Sequence, residues 1–263
     1  MLAKGAALAL CCVAFVTSSG SDIAPLPHAH AHNDYLHARP LLDALDHGFC
    51  SVEADIYLVN GKLLVAHDRN KVQTERTLEA LYLDPLLQRV RANHGRVFAG
   101  GPEFVLLIDL KTDWTNTYPV LKATLTNYVA MLTLYAGGMM QSNAVRVILT
   151  GNRSRQMFAG EEVRLAALDG ELADLDSNEP AALIPWISSN WFRSFKWRGS
   201  DEIPESELLR LKDIVRRGHE HGRAVRFWGA PDKLSFWKVI RDAGVDLVNT
   251  DDLAGAEKFL REH

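Results

Sequence analysis

Glu53 and Asp55 stand two residues apart in the stretch Ser51-Val-Glu-Ala-Asp-Ile-Tyr-Leu58, whose alternation fits an extended strand. Residues two apart share one face of a strand. One face carries Val52, Ala54, Ile56 and Leu58, and the other carries Ser51, Glu53, Asp55 and Tyr57. The apolar face suits packing against helices, which turns both carboxylates to the opposite side together. Two carboxylates held side by side repel, and removing them from water is costly unless a cation joins them. A hard divalent ion such as Mg2+ or Ca2+ would relieve this, since both prefer oxygen ligands. Salt bridges to nearby Lys or Arg would relieve it too, and the motif by itself leaves both readings open.

Asp109 and Lys111 share a face at the end of Phe104-Val-Leu-Leu-Ile-Asp-Leu-Lys111, after five apolar residues. Asp109 can supply a third carboxylate to the same ion, and Lys111 can neutralise an anion beside it; the plainer reading is an ion pair between the two. His28, His30, His32 and Asp34 fall on one face of the first candidate strand, and His67 follows the apolar run Leu63-Leu-Val-Ala66. Imidazole titrates near neutrality, so two strand-end histidines beside an acidic cluster can act as a proton acceptor and donor pair. His37, His47, His94, His219, His221 and His263 have no such setting and read as surface or helix-end residues.

These residues need strands to carry them. Short apolar runs at 28–33, 51–59, 104–110, 145–150, 164–168, 183–188, 224–228 and 246–249 read as strands, with a short run from Lys62 after the Asn60-Gly61 turn signal. Helical patterns run from Pro40 to His47, Tyr118 to Leu134, Pro204 onward, Pro231 to Ala243 and Leu253 to Leu260. Eight strands alternating with helices predict a (β/α)8 TIM barrel, with function at the C-terminal ends of the strands. The competing doubly wound sheet would want a glycine-rich turn after the first strand, where His32-Asn-Asp34 stands instead.

The chain of 263 residues is long enough to bury a core without staples, and its net charge of -4 excludes the basic stripe of a nucleic-acid binder. Residues 1–20 read as a secretory signal: Lys4, the apolar run Ala6–Val16, then Thr17-Ser-Ser-Gly20. Cleavage there would leave one TIM-barrel domain over 24–263, with Cys50 as its only cysteine and no transmembrane segment, and would send it to the periplasm or outside the cell. A lipid anchor at Cys11 or Cys12 is the alternative, against which Leu10 is a poor fit.

Taken in order, His32-Asn33-Asp34, Glu53-x-Asp55, His67-Asp68 and Asp109-x-Lys111 resemble the PLC-like phosphodiesterase superfamily, which includes glycerophosphodiester phosphodiesterases and sphingomyelinase D enzymes. His30-Ala-His-Asn-Asp-Tyr35, Arg39-Pro-Leu41 and Ser51-Val-Glu-Ala-Asp-Ile56 are similar to one branch of it, the altered inheritance of mitochondria protein 6 homologs. The resemblance runs from about Pro27 to Asp252, with Arg226-Phe-Trp-Gly and Asn249-Thr-Asp-Asp as its later signals.

The resemblance implies a TIM barrel and a divalent cation, Mg2+ or Ca2+, held by Glu53, Asp55 and Asp109. It implies His32 and His67 as the acid–base pair and Lys111 as a phosphate-holding group. The expected activity is that of a phosphoric diester hydrolase on a small-molecule or lipid phosphodiester, either glycerophosphodiester or phospholipid-like. An internal hydroxyl attacks phosphorus in some relatives and leaves a cyclic phosphate. Arg226 and Trp228 stand where they could contact the substrate. His-Asn-Asp replaces the usual His-Arg-Gly of glycerophosphodiesterases, and Asp109 replaces their usual third-ligand Glu. The 34 residues at 69–102 leave little space for an extra cap domain. Two rival readings remain at this point. His28-x-His30 and His30-x-His32 fit the His-x-His of metal-dependent amidohydrolases, although 164–168 and 183–188 carry no histidine. A barrel of this kind could also bind a phosphorylated ligand or a glycan without cleaving it.

Overall fold

The computed structural model describes residues 23–263. The expected secretory segment, with Cys11 and Cys12, lies outside the described residues. Along the chain, β1 (Leu26–Ala31) leads through α1 (Leu42–Asp46) to the long β2 (Phe49–Val59), which turns back as β3 (Lys62–Val65). A π-helical turn, Glu79–Leu83, runs into α2 (Asp84–Ala92), followed by β4 (Phe104–Leu110) and α3 (Trp114–Thr126). A hairpin of β5 (Leu134–Ala136) and β6 (Met139–Gln141) precedes β7 (Val145–Gly151) and α4 (Arg155–Ala159). Then come β8 (Val163–Arg164), β9 (Ala167–Gly170), β10 (Trp186–Asn190), α5 (Trp191–Ser194) and α6 (Glu205–Glu220). β11 (Ala224–Trp228), α7 (Leu234–Asp242), β12 (Val248–Thr250) and α8 (Leu253–Glu262) complete it.

Eight parallel strands stand side by side in the order β11-β10-β9-β7-β4-β2-β1-β12, and a single bridge between Arg226 and Leu247 brings the two ends together. The result is a nearly closed (β/α)8 barrel. Its strands are apolar on the outer face because helices cover them. Val52, Ala54 and Ile56 of β2, and Leu106, Ile108 and Leu110 of β4, are fully buried there. The inner face is layered. Leu107, Ile148, Trp186 and Leu247 form a separate apolar cluster in the lumen. Above it, toward the C-terminal ends, the same-face positions turn polar: Asp109 follows Leu107, and Ser188 follows Trp186. The lumen is therefore plugged below and open to chemistry above.

All eight predicted strands exist, with shifted bounds where local chemistry competes. The run at 183–188 begins pairing at Trp186 because Pro185 brings no N–H to a ladder. The run at 164–168 is split, since Val163–Arg164 pairs with β5 in a small three-stranded sheet and the barrel strand starts at Ala167. The helix expected over Tyr118–Leu134 starts at Trp114, where the Asp113 side chain accepts from Thr115 N and caps it, and it ends at Thr126. After β9 the barrel has only a short 3-10 turn, Leu172–Asp174, in place of a helix. Asn60 and Gly61 both adopt positive φ, 49° and 77°, as a tight two-residue hairpin requires.

One expectation for the first strand is corrected. His28, His30, His32 and Asp34 do not share a working face. His28 is exposed at the opposite end of β1, and Asn33 turns the chain with φ 50°. Asp34 is instead buried, accepting from Leu41 N at 2.6 Å and Tyr82 Oη at 2.8 Å. Among the described residues no helix is long and apolar enough to cross a membrane.

Candidate active site

The register of two neighbouring strands creates the acidic centre. Asp55 of β2 pairs directly with Asp109 of β4, and Glu53 lies two residues before Asp55 on the same inner face. Each of the three offers a carboxylate oxygen within 4.8 Å of the others. Lys111 Nζ bridges two of them, 2.6 Å from Asp109 Oδ2 and 3.0 Å from Asp55 Oδ2. The buried Tyr35 hydroxyl donates to the same Asp55 Oδ2 at 2.7 Å. These contacts leave Glu53 Oε2, Asp55 Oδ1 and Asp109 Oδ1 buried with no hydrogen-bond partner.

Three buried orphan oxygens, one from each acid, are a costly arrangement that one hard cation would satisfy. The donor set fits Mg2+ or Ca2+ in kind, being all oxygen with no thiolate or free imidazole among the three. Burial and the neighbouring charges of Glu53 and Asp109 push Asp55 up to about 7. Burial would raise Glu53 as well, but the positive charges of Arg226 and His32 beside it override burial and hold it below the usual carboxylate range.

Gly151 closes over this centre. It ends β7 with φ 75°, and a Cβ built there would stand 1.9 Å from Asp109 Oδ1 and 2.7 Å from Leu110 O. Gly151→Ala should therefore cost about 1–3 kcal/mol in strain and push Asp109 off its oxygen position. The expected outcome is a lower melting temperature together with a smaller stabilisation by Mg2+ or Ca2+, read by thermal melts with and without the ion. An unchanged ion-induced shift would show that Asp109 is not placed by this contact.

The two histidines of β1 have separate fates. His30 is fully buried, with Nδ1 2.6 Å from Ser51 Oγ and Nε2 2.9 Å from Arg226 Nη1. The guanidinium can only donate, so Nε2 accepts and Nδ1 carries the proton. Burial and Arg226 lower its pKa to about 4, which makes it a neutral structural group near pH 7. His32 has one nitrogen committed: Nδ1 lies 2.8 Å from Asp251 Oδ1, while Nε2 faces the cavity 3.8 Å from Glu53 Oε2. Burial opposes its charged form, but Asp251 and Glu53 outweigh that and raise its pKa.

His67 arrives from the hairpin. β3 runs antiparallel along β2, and Ala66 N donates to Asp55 O at 3.2 Å, which brings His67 to the level of the acids. Its side chain is 53% exposed and lies 3.3 Å from Asp68. Arg226 points inward. Its Nε donates to Ser188 Oγ at 3.0 Å and its Nη1 to Asn249 Oδ1 at 3.0 Å, with Asp169 Oδ2 3.6 Å and Glu53 Oε2 3.7 Å away. Trp228 stands two residues on, at the rim. The residues singled out in the sequence, namely His32, Glu53, Asp55, His67, Asp109, Lys111, Arg226 and Trp228, all line one cavity of about 730 Å³ at the C-terminal ends of the strands.

Sequence reasoning gave no role to the supporting set: Tyr35, Asn249 and Asp251 stood only within the motifs of the resemblance, and Asp169 and Ser188 were not singled out at all. Asp169 and Ser188 bond each other at 2.7 Å on adjacent strands. For Asp169 and Ser188 the only signal was a polar residue on the inner face of a short apolar run, which is weak in strands of four or five residues. For the His-x-His reading, both His30 nitrogens are engaged, and β9 and β10 offer Asp169 and Ser188 where middle-strand histidines would be needed.

A (β/α)8 barrel with a convergent acidic centre and histidines at its strand ends is the architecture of the glycerophosphodiester phosphodiesterase type. A solved structure of that kind, a glycerophosphodiester phosphodiesterase from Parabacteroides distasonis, superposes with a TM-score of 0.52 over 92% of this chain and 99% of that one, at 13% identity. Residues 17–165 match the AIM6-like phosphodiesterase domain, and residues 224–254 match the glycerophosphoryl diester phosphodiesterase family. Altered inheritance of mitochondria protein 6 from Eremothecium gossypii is 30% identical over 90% of this chain and 70% of its own length. A homolog from Arthroderma benhamiae is 26% identical over 94% of this chain and 87% of its own. The chain belongs to the AIM6-like phosphodiesterase family.

Proposed function

We propose that the protein is a metal-dependent phosphoric diester hydrolase that uses His32 and His67 for proton transfer on a glycerophosphodiester or phospholipid-like diester. The observation that carries this reading is the trio of partnerless buried carboxylate oxygens beside Lys111 and the free Nε2 of His32. Glu53, Asp55 and Asp109 would hold the ion, which when bound supplies polarisation of a non-bridging phosphate oxygen. Lys111 adds a fixed positive charge where the phosphate must sit. Asp251 keeps the His32 proton on Nδ1, so His32 exchanges its catalytic proton at Nε2. His67, open to solvent, serves the other side of the transfer, so that one imidazole takes the nucleophile's proton while the other protonates the departing oxygen. Arg226 holds the floor through Ser188, His30 and Asn249 and keeps the field around Glu53 positive.

A ligand-binding barrel would have no need of an imidazole oriented by a carboxylate with its second nitrogen left free. The direct test is turnover of an aryl phosphodiester and of a panel of glycerophosphodiesters with Mg2+ or Ca2+, each with and without chelator. The expected outcome is turnover that chelator removes and added ion restores. Binding without turnover across the whole panel would instead favour the phospho-ligand-binding reading. Secretion, the other expectation drawn from residues 1–20, is checked by the N-terminal sequence of the exported chain.

A further inference from the structure

The two walls of the cavity differ in charge. On one stand the three acids, Lys111 and the histidines. On the other, Arg153, Arg193 and Arg210 line the same space with Ser188, Ser189 and Asn190. The remaining cations of the cavity are already matched: Lys111 by Asp55 and Asp109, and Arg226 by the nearby Glu53 and Asp169. Arg153 reaches Glu171 at 3.3 Å, a carboxylate that is 71% exposed. Arg193 and Arg210 have no carboxylate within 4.0 Å among the described residues. Arg210 is nevertheless held in place, with Nη1 donating to Ser194 O at 3.0 Å and its guanidinium carbon 5.7 Å from the Phe195 ring centroid. That leaves most of its donors free and its orientation already set.

Guanidinium groups match phosphate oxygens in geometry and charge. A quaternary ammonium headgroup needs a cage of aromatic faces. Among the described residues and apart from the two histidines, Trp228 is the single aromatic side chain lining this cavity, and the facing wall is cationic. A space of about 730 Å³ is also ample for more than one phosphate-sized group beside the acidic centre.

We propose that Arg193 and Arg210, with Arg153 beside them, form a second anion subsite, and that the substrate is a phosphodiester bearing a further phosphate monoester remote from the scissile group. This deepens the phosphodiesterase reading and rests on it. Choline-type diesters are disfavoured by the same wall.

The test is calorimetric titration of the Mg2+-loaded protein with glycerophosphoglycerol, with the same diester carrying a terminal phosphate, and with glycerophosphocholine. Charge-assisted hydrogen bonds of this type correspond to roughly 10- to 100-fold in affinity, so the phosphorylated diester should bind that much more tightly than its parent. Arg193→Gln should narrow the ratio, Arg193→Gln with Arg210→Gln should bring it close to one, and Arg193→Lys should keep part of it. The metal centre can also attract a monoester, and the double variant separates that source because it leaves the three acids in place. Equal affinities in the unchanged protein, or a ratio that survives the double variant, would overturn the subsite. Tight, arginine-dependent binding without turnover of any diester would support the subsite and overturn the phosphodiesterase reading. Turnover of parent and phosphorylated diesters at equal affinity would do the reverse.

Discussion

Asp109→Asn should abolish stabilisation by divalent cations while leaving the ion-free protein as stable as before, or more so. Glu53, Asp55 and Asp109 crowd negative charge into a buried site, and the crowding is visible in Asp55, pushed up to about 7 by burial and its two neighbours. Removing one charge relieves that repulsion. It also leaves a single amide oxygen, which Lys111 Nζ, 2.6 Å from Oδ2, claims, so that an NH2 group stands in place of one of the three partnerless oxygens. Loss of a direct ligand should exceed the ~10–100-fold that losing an outer partner of a metal site costs. An ion present at a hundred times its Kd stabilises a fold by about 2.7 kcal/mol, so thermal melts at that concentration of Mg2+ or Ca2+ read the effect directly. The plainer reading, in which Lys111 alone satisfies Asp55 and Asp109, predicts the opposite sign. Under it, Asp109→Asn would lower the melting temperature without ion, and added ion would change neither protein. The two readings therefore part on the direction of a single measurement.

How much of this was legible beforehand depended on the length of each strand. β2 is 11 residues long and β4 is seven, so their alternation displayed Glu53, Asp55 and Asp109 against unbroken apolar faces. The order of β2 next to β4, and the register that sets Asp55 opposite Asp109, were not in any local pattern. They follow from barrel closure, a property of all eight strands together. β9 is four residues and β12 three, too short for a period of two to declare itself. That is why Asp169 went unnoticed, why Asn249 was seen within a motif but given no role, and why Arg226 could be named before its direction could. The first strand misled in another way. Alternation put four polar side chains on one face, but a strand rises about 3.3 Å per residue. His28 is therefore some 13 Å from His32 along the barrel axis direction, and Asn33 ends the extended run before Asp34. Asp251 could only be linked to His32 once the last strand was seen to lie against the first.

His32→Ala and His67→Ala should each lower kcat by about 10²–10⁴-fold, the span typical of a positioned acid or base, and neither should remove the ion-induced rise in melting temperature. The clustered carboxylates come from Glu53, Asp55 and Asp109 alone, so the acidic trio stays intact without His32. The variants should differ in the ion-free protein. His32 is partly buried and bonded to Asp251, so its removal should cost some stability, whereas the exposed His67 should cost little. Asp251→Asn supplies the intermediate case, because it keeps the imidazole and weakens only the hold on Nδ1. It should lower kcat less than His32→Ala and leave ion binding unchanged. If both imidazoles act in one proton-coupled displacement, the double variant should fall short of the product of the two single losses, since removing either partner already stalls the shared step. A strictly multiplicative loss would place the two histidines in separate steps. Full activity in His67→Ala would remove that residue from the chemistry and leave His32, with Asp251 behind it, as the one proton carrier of the site.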